Sequence, residues 1–206
     1  MKNKVEQPIY LEVKKVVEEA KDLKTLIFEH DLKAKPGQFV NVWIPGVDEK
    51  PYSISFQDNK RFGITIFAIG KFSRRLHDLQ EGDKVGIRGP YGKGFRFRGK
   101  RAVLVGGGCG SAPLAFLADE LVKKGKEVNF ITGARSREYV GFRKRYSRSK
   151  LNFMVCTDDG SLGKKGFTTS VLEKVLKKGG IDIVYSCGPE IMMKKVFELC
   201  EKHRIE

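Results

Sequence analysis

The chain has 206 residues, enough for one large domain or for two of about 100 residues, each burying its own core. It is 40% hydrophobic and 32% charged, and its longest uncharged run, Ala102 to Ala118, is broken by glycines and a proline and falls short of the ~20 apolar residues of a membrane span. Forty Lys and Arg against 25 Asp and Glu give a formal charge of +15, but the basic residues are scattered and even FRFRGKR and FRKRYSRSK lack alternating aromatics, so the charge reads first as solubility and anion attraction and only second as nucleic-acid binding.

The opening MKNKVEQPIYLEVKKVVEEAK is charged throughout and lacks the continuous apolar core of a secretory signal. Cysteines at 109, 156, 187 and 200 are too widely spaced for a CxxC knuckle and the chain is too large to need disulfide staples, so they read as reduced thiols in a soluble cytoplasmic protein.

From residue 8 to 98, short β-rich runs alternate with turn signals: IYLEVKKVV, KTLIFEHDL, GQFVNVWIP, PYSISF, RFGITIFAI and DKVGIRG. This spacing predicts an antiparallel barrel over residues 1–98. One short helix is expected at SRRLHDLQEGD, Ser73 to Asp83. The residues before it, Gly70, Lys71, Phe72 and Ser73 with Arg74 and Arg75, suit a pyrophosphate at a helix N-terminus; simple capping by Ser73 explains them equally.

After Gly99 the pattern becomes strand, helix, strand, helix, predicting a doubly wound parallel sheet over 99–206 with its ligand beyond the carboxyl ends of the strands. RAVLVGGG is the first strand, and Ser111 to Lys124 the first helix, with Ser111 as its cap. EVNFITGAR, LNFMVCTDD and DIVYSCGP are further strands; helices are expected near 137–148, 167–178 and 189–202. The turn GGGCGSAP, with Gly106, Gly107, Gly108 and Gly110, either lets backbone N–H groups approach an anion or is simply a tight turn. Arg135 and Arg137 after the second strand could meet ribose or phosphate, or be ordinary surface arginines. Asp159 ends the third strand. Cys187, Gly188 and Pro189 end the fourth, where the Cys187 sulfur suits the flank of a nicotinamide, although an inert buried thiol is the commoner fate. Two anion sites in two domains suggest two nucleotides and electron transfer.

Six short elements carry a resemblance that covers nearly the whole chain: PGQFV (36–40), KPYSIS (50–55), GKFS (70–73), GDKVGIRGPYGKGF (82–95), LVGGGCGSAPL (104–114) and CGPEIMM (187–193). In this order they resemble the ferredoxin–NADP reductase superfamily, a flavin-binding barrel followed by a nicotinamide-binding domain. Within it the chain is similar to the electron-transfer subunits of NAD-dependent dihydroorotate dehydrogenase, sharing segments such as TDDGSLGKKGF and CGPEIMMKKVFE. The resemblance implies FAD in the barrel, with Lys50, Pro51, Tyr52 and Ser53 around the isoalloxazine and ribityl chain, Thr65, Ile66 and Phe67 lining it, and Gly70, Phe72 and Ser73 at its phosphates. Gly106 to Gly110, Arg135, Asp159 and Cys187 to Pro189 would receive NAD(H) or NADP(H), with Tyr52, Ser53 and Cys187 nearest the chemistry.

The chain departs from that pattern in two places. Lysine stands at 50 where the family has arginine, and the C-terminal [2Fe–2S] cysteine run is replaced by ELCEKHRIE with Cys200 alone, so no cluster is expected on this chain, whether by nature or by shortening. The implied partner is a catalytic dehydrogenase subunit of a hetero-oligomer in pyrimidine synthesis. A stand-alone reductase of ferredoxin or another acceptor, and a nucleotide-sensing or nucleic-acid-associated protein, are the alternatives.

Overall fold

The structure is a computed structural model and describes residues 7–206; the first six residues of the charged opening stretch lie outside it. The fold divides into two compact units, one of the described residues up to Glu18 with Asp22–Gly94, the other of Glu19–Lys21 with Phe95–Glu206.

The first unit is a closed antiparallel barrel of β1 (Ile9–Ala20), β2 (Leu23–Glu29), β3 (Phe39–Ile44), β4 (Asp48–Gln57), β5 (Arg61–Phe67) and β6 (Lys84–Tyr91), in the order β1-β2-β5-β4-β3-β6. Period-two alternation builds its core: in β3, Val40, Val42 and Ile44 are buried while their neighbours are half-exposed. Opposite them Leu26, Phe28, Ile54, Phe62, Ile64 and Ile87 are buried, with the Phe28 and Phe62 rings stacked at 5.1 Å. The single helix, α1 (Lys71–His77), follows β5. It starts two residues earlier than the sequence suggests and ends at His77, because Gly70 rather than Ser73 occupies the N-cap and only Phe72 and Leu76 find buried positions.

The second unit is a parallel sheet of β7 (Arg101–Gly107), β8 (Glu127–Ala134), β9 (Asn152–Thr157), the two-residue β10 (Lys164–Lys165) and β11 (Ile183–Cys187), in the order β10-β9-β8-β7-β11. Its first strand, β7, is followed on one side by β8 and β9 and flanked on the other by β11, so strand order reverses between β7 and β11. The strands carry apolar side chains on both faces. Ala102, Leu104, Val128 and Phe130 pack under α2 (Ser111–Lys123), while Val103, Val105 and Ile131 pack under α4 (Thr168–Lys177) and α5 (Glu190–His203). Phe95 belongs here and not with the barrel: its ring meets Tyr185 edge-on at 5.6 Å, and the Tyr185 hydroxyl donates to the Arg96 carbonyl at 2.5 Å.

Two helix expectations are corrected. The stretch 137–148 holds only a 3-10 turn at Arg137–Tyr139 and one turn of helix, α3 (Arg143–Tyr146), because the chain breaks at Val140–Gly141 and Phe142 takes a left-handed φ of 61°. Ser111 does not cap α2; Gly110 precedes the helix, and the Ser111 hydroxyl instead shares a 2.8 Å hydrogen bond with Thr132 of β8.

Candidate functional site

In the barrel, β4 and β5 are joined only from Gln57↔Phe62 to Ile54↔Ile64, and the register shifts there, leaving Ser55 as the extra residue of a β-bulge. Before this point β4 stays paired to β3 through Ser53↔Phe39 and Tyr52↔Val40; beyond it β5 stays paired to β2 through Thr65↔Thr25 and Phe67↔Leu23. Among the described residues the two strands therefore separate at Ile54 and Ile64, opening a seam with Pro51, Tyr52 and Ser53 on one lip and Thr65, Ile66 and Phe67 on the other. Backbone groups facing such a seam need partners from outside the sheet. The Phe72 ring of α1 lies 6.2 Å from that of Tyr52, so α1 reaches the same seam.

The bulge is held from inside. Thr65 Oγ1 donates to Ser55 Oγ at 2.7 Å and shares a 2.8 Å hydrogen bond with Thr25 Oγ1, while Ser55 Oγ donates to the Gly63 carbonyl at 3.2 Å. Thr65 and Ile66 are buried at 7% and 0% exposure, so these two residues offer the seam backbone and not side chain. Tyr52 shares its face with the buried Ile54, and Ser53 takes the other with Phe39, as strand periodicity requires. A ligand touching both must lie along the strand edge. Burial pushes the Tyr52 phenol up to about 12, which keeps it a hydrogen-bond donor at neutral pH.

Lys50 is exposed and its Nζ lies 2.7 Å from Asp48, two residues back on the same face, which holds that carboxyl below its ordinary value. An arginine fork does reach β4, on the opposite face of the strand from Lys50: Arg88 of β6 grips Glu49 through Nε at 2.7 Å and an Nη at 2.5 Å. At the start of α1, Ser73 Oγ accepts from the Ile69 and Gly70 amides at 3.0 and 2.9 Å and donates to the Gly70 carbonyl at 3.1 Å. Its hydroxyl is committed to capping, which leaves the first-turn amides of Lys71 and Phe72 to meet an anion, while Arg74 and Arg75 fall in the last turn of α1 and not at its start as the sequence suggests.

In the second unit the predicted residues gather at the strand carboxyl ends around the reversal point, where Cys187 pairs with Gly106. The glycines divide by role. A Cβ on Gly110 would stand 2.2 Å from the Cys187 carbonyl oxygen, one on Gly107 2.8 Å from Met192 Sδ and Pro189 Cδ, and one on Gly106 2.4 Å from Ser111 Oγ. Gly107 and Gly110 are glycine because the turn after β7 packs directly on the turn after β11, and Gly106 because the start of α2 folds back on it. Gly108, with φ 55° and open space where a side chain would project, is the glycine required by backbone conformation. Sequence reasoning passed over Ser186, whose buried Oγ has no protein partner among the described residues and lies one residue from Cys187.

Further along the same sheet edge, Arg135 lies flat on the Tyr139 ring, 3.7 Å from its centroid. Asp159 accepts from the Ser161 amide at 2.9 Å and its hydroxyl at 2.6 Å, hydrogen bonds that hold its carboxyl below the ordinary value. Asp159 and Ser161 line a cavity of about 700 Å³ together with Ser136, Arg137, Arg143 and Lys144. Arg143 and Lys144 belong to the FRKR cluster, whose charge no motif assigns to a site. Among the described residues no cluster of His, Cys, Asp and Glu is arranged to hold a metal, and no helix is long and apolar enough to cross a membrane.

An antiparallel barrel opened along one seam, followed by a parallel sheet with a glycine turn at its reversal point, defines an FAD-binding oxidoreductase of the ferredoxin reductase type. Residues 11–95 match the oxidoreductase FAD-binding domain family. The NADH-dependent reduced ferredoxin-NADP oxidoreductase superposes with a TM-score of 0.81 at 27% identity over 98% of this chain and 74% of that one. The flavohem-like FAD/NAD binding domain of nitric oxide dioxygenase from Vibrio cholerae shares the fold, with a TM-score of 0.84 at 19% identity over 97% and 95% of the two chains.

In sequence, the protein named "Probable dihydroorotate dehydrogenase B (NAD(+)), electron transfer subunit" of Methanocaldococcus jannaschii is 42% identical over 98% of this chain and 76% of its own length. Its namesake in Methanothermobacter thermautotrophicus is 44% identical over 96% and 75%. The chain belongs to the family of dihydroorotate dehydrogenase B electron transfer subunits.

Proposed function

We propose that the protein is the FAD-carrying electron-transfer subunit of an NAD-dependent dihydroorotate dehydrogenase, passing electrons between a nicotinamide coenzyme and a catalytic partner subunit in the cytoplasm. The observation that carries this reading is the identity of more than 40% to subunits of that name over nearly the whole chain. The barrel residues fit the flavin: the seam offers backbone edges that β4 and β5 do not pair with each other and an aromatic pair to a planar ring, and the start of α1 offers amides to its phosphates. Bound there, FAD supplies the hydride and electron chemistry.

The chain's own residues bind and orient. Tyr52 would pack against the flavin and offer it a hydrogen bond from its phenol, Ser53 would meet it at the strand edge, and Thr65 to Phe67 would hold it through backbone. Gly106 to Gly110 and Cys187 to Pro189 receive the nicotinamide end of the coenzyme. Arg135 and Asp159 take the adenosine end.

Purified protein reconstituted with FAD is expected to be yellow and to bleach anaerobically on addition of NADH. A colourless protein, or one that neither NADH nor NADPH reduces, overturns the proposal. Arg137, Arg143 and Lys144 favour an added 2′-phosphate whereas Asp159 favours a free ribose hydroxyl, so the ratio of NADH to NADPH bleaching rates measures which charge governs. The 27% identity to an NADH-dependent ferredoxin-NADP oxidoreductase supports the second reading, reduction of a ferredoxin-type acceptor. Co-purification with a dihydroorotate-oxidising subunit decides between the two.

A further inference from the structure

We propose that Cys109 and Cys187 form a redox-responsive pair, whose oxidation to a disulfide locks the turn after β7 to the turn after β11 and shuts the nicotinamide coenzyme out of the crevice. The gating half of this rests on the reading that the crevice receives the coenzyme; the pairing half does not.

Backbone contact brings the two residues together. The built Cβ of Gly110, the neighbour of Cys109, would stand 2.2 Å from the carbonyl oxygen of Cys187 and 2.6 Å from the amide nitrogen of Gly188. The two turns thus touch main chain to main chain, at Cys187 itself and one residue from Cys109. All four cysteines are free, but only Cys109 is exposed, on the short 3-10 turn Gly108–Gly110 that has neither a side-chain cap nor regular pairing to hold it. Cys187 is half-buried, and besides burial the proximity of Cys109 helps raise its thiol above the ordinary value, as two mutually repelling incipient thiolates require.

The other two thiols are out of reach. Cys156 and Cys200 are buried at 1% and 8% in the core beneath α4 and α5, whereas Cys187 packs against the opposite core, beneath α2.

The oxidant is a hydroperoxide, the ordinary by-product of reduced flavin and oxygen. The two thiols lose two protons and two electrons, one S–S bond forms, and hydrogen peroxide takes them up as its O–O bond breaks, leaving two molecules of water. The exposed Cys109, as thiolate, attacks a peroxide oxygen first, releasing hydroxide and leaving a sulfenic acid; the Cys187 thiolate then attacks that sulfur and displaces a second hydroxide, and the two protons given up by the thiols turn both into water. A thiol reductant reverses the step.

The test treats FAD-loaded protein with stoichiometric hydrogen peroxide. Titratable thiols in denaturant should fall from the four free cysteines to two, with tryptic peptides 102–123 and 179–194 linked. NADH bleaching should slow by at least about tenfold and recover with dithiothreitol. The Cys109→Ser variant should keep, in peroxide, the rate it shows untreated. Four surviving thiols, or a link between other cysteines, overturn the pairing. A Cys109–Cys187 link with undiminished bleaching overturns the gating. Protein that never bleaches, even untreated, counts against the proposed function, while the peptide link still decides the pairing.

Discussion

Tyr52 holds the position where chemistry and packing overlap. Its ring meets Phe72 at 6.2 Å and its phenol is half-buried, so it both lines the seam and closes the end of the barrel core. Removing the ring removes an aromatic contact of about 0.5–1.5 kcal/mol, and Tyr52→Ala should weaken FAD binding up to roughly tenfold in a flavin-absorbance titration. Its ionisation gives a second test. A phenol raised to about 12 binds its proton more tightly folded than unfolded, so its contribution to stability is intact below the unfolded value of about 10 and is lost as pH rises through 12. Buried thiols whose values are raised, Cys156 among them, begin to lower the urea midpoint nearer pH 9; the part of the fall that sets in above pH 10 should be smaller in Tyr52→Phe than in the parent protein. Lys50 teaches a different lesson. The sequence marks it as a stand-in for arginine, yet its charge is spent on Asp48 while Arg88 holds Glu49. Only the ladder between β3 and β6 could have revealed an arginine from a distant segment beside β4.

At the level of elements, the strands and the long helices were legible because period-two and 3.6-residue patterning is written into consecutive residues. The seam was not, since it consists of pairing that β4 and β5 decline to make, decided by a bulge at Ser55 and by which neighbours close the barrel. The buried Ser55, Thr65 and Thr25 hydroxyls that hold the bulge looked like the wet face of ordinary strands. Thr65→Val deletes the hydroxyl that bonds both others, and should lower stability by about 1–3 kcal/mol in urea unfolding. The glycine turn was legible in place but only partly in cause, because two of its glycines, Gly107 and Gly110, answer to the facing turn after β11 and Gly106 to Ser111. Gly110→Ala would drive a methyl group into the Cys187 carbonyl. It should cost about 1–3 kcal/mol and slow NADH bleaching, while FAD content stays normal because the barrel is a separate unit.

Across the whole molecule a formal charge of +15 has to be reconciled with two anionic nucleotides and no single basic face in the sequence. The structure places part of that charge: Arg137, Arg143 and Lys144 gather around one cavity, and Arg74 and Arg75 stand at α1. Positive charge focused at such openings raises the encounter rate of an anionic coenzyme, and salt shortens its reach to about 10 Å at 0.1 M. The second-order rate of NADH bleaching should therefore fall at least about threefold between 20 and 500 mM salt, with bound FAD unchanged. The nucleic-acid reading expects the reverse pattern. Its charge acts on a long phosphate backbone, so holoprotein would stay on an RNA column at 150 mM salt, elute steeply above it, and bleach at a rate indifferent to salt. Running both measurements on one preparation separates charge that steers a coenzyme from charge that binds a polymer.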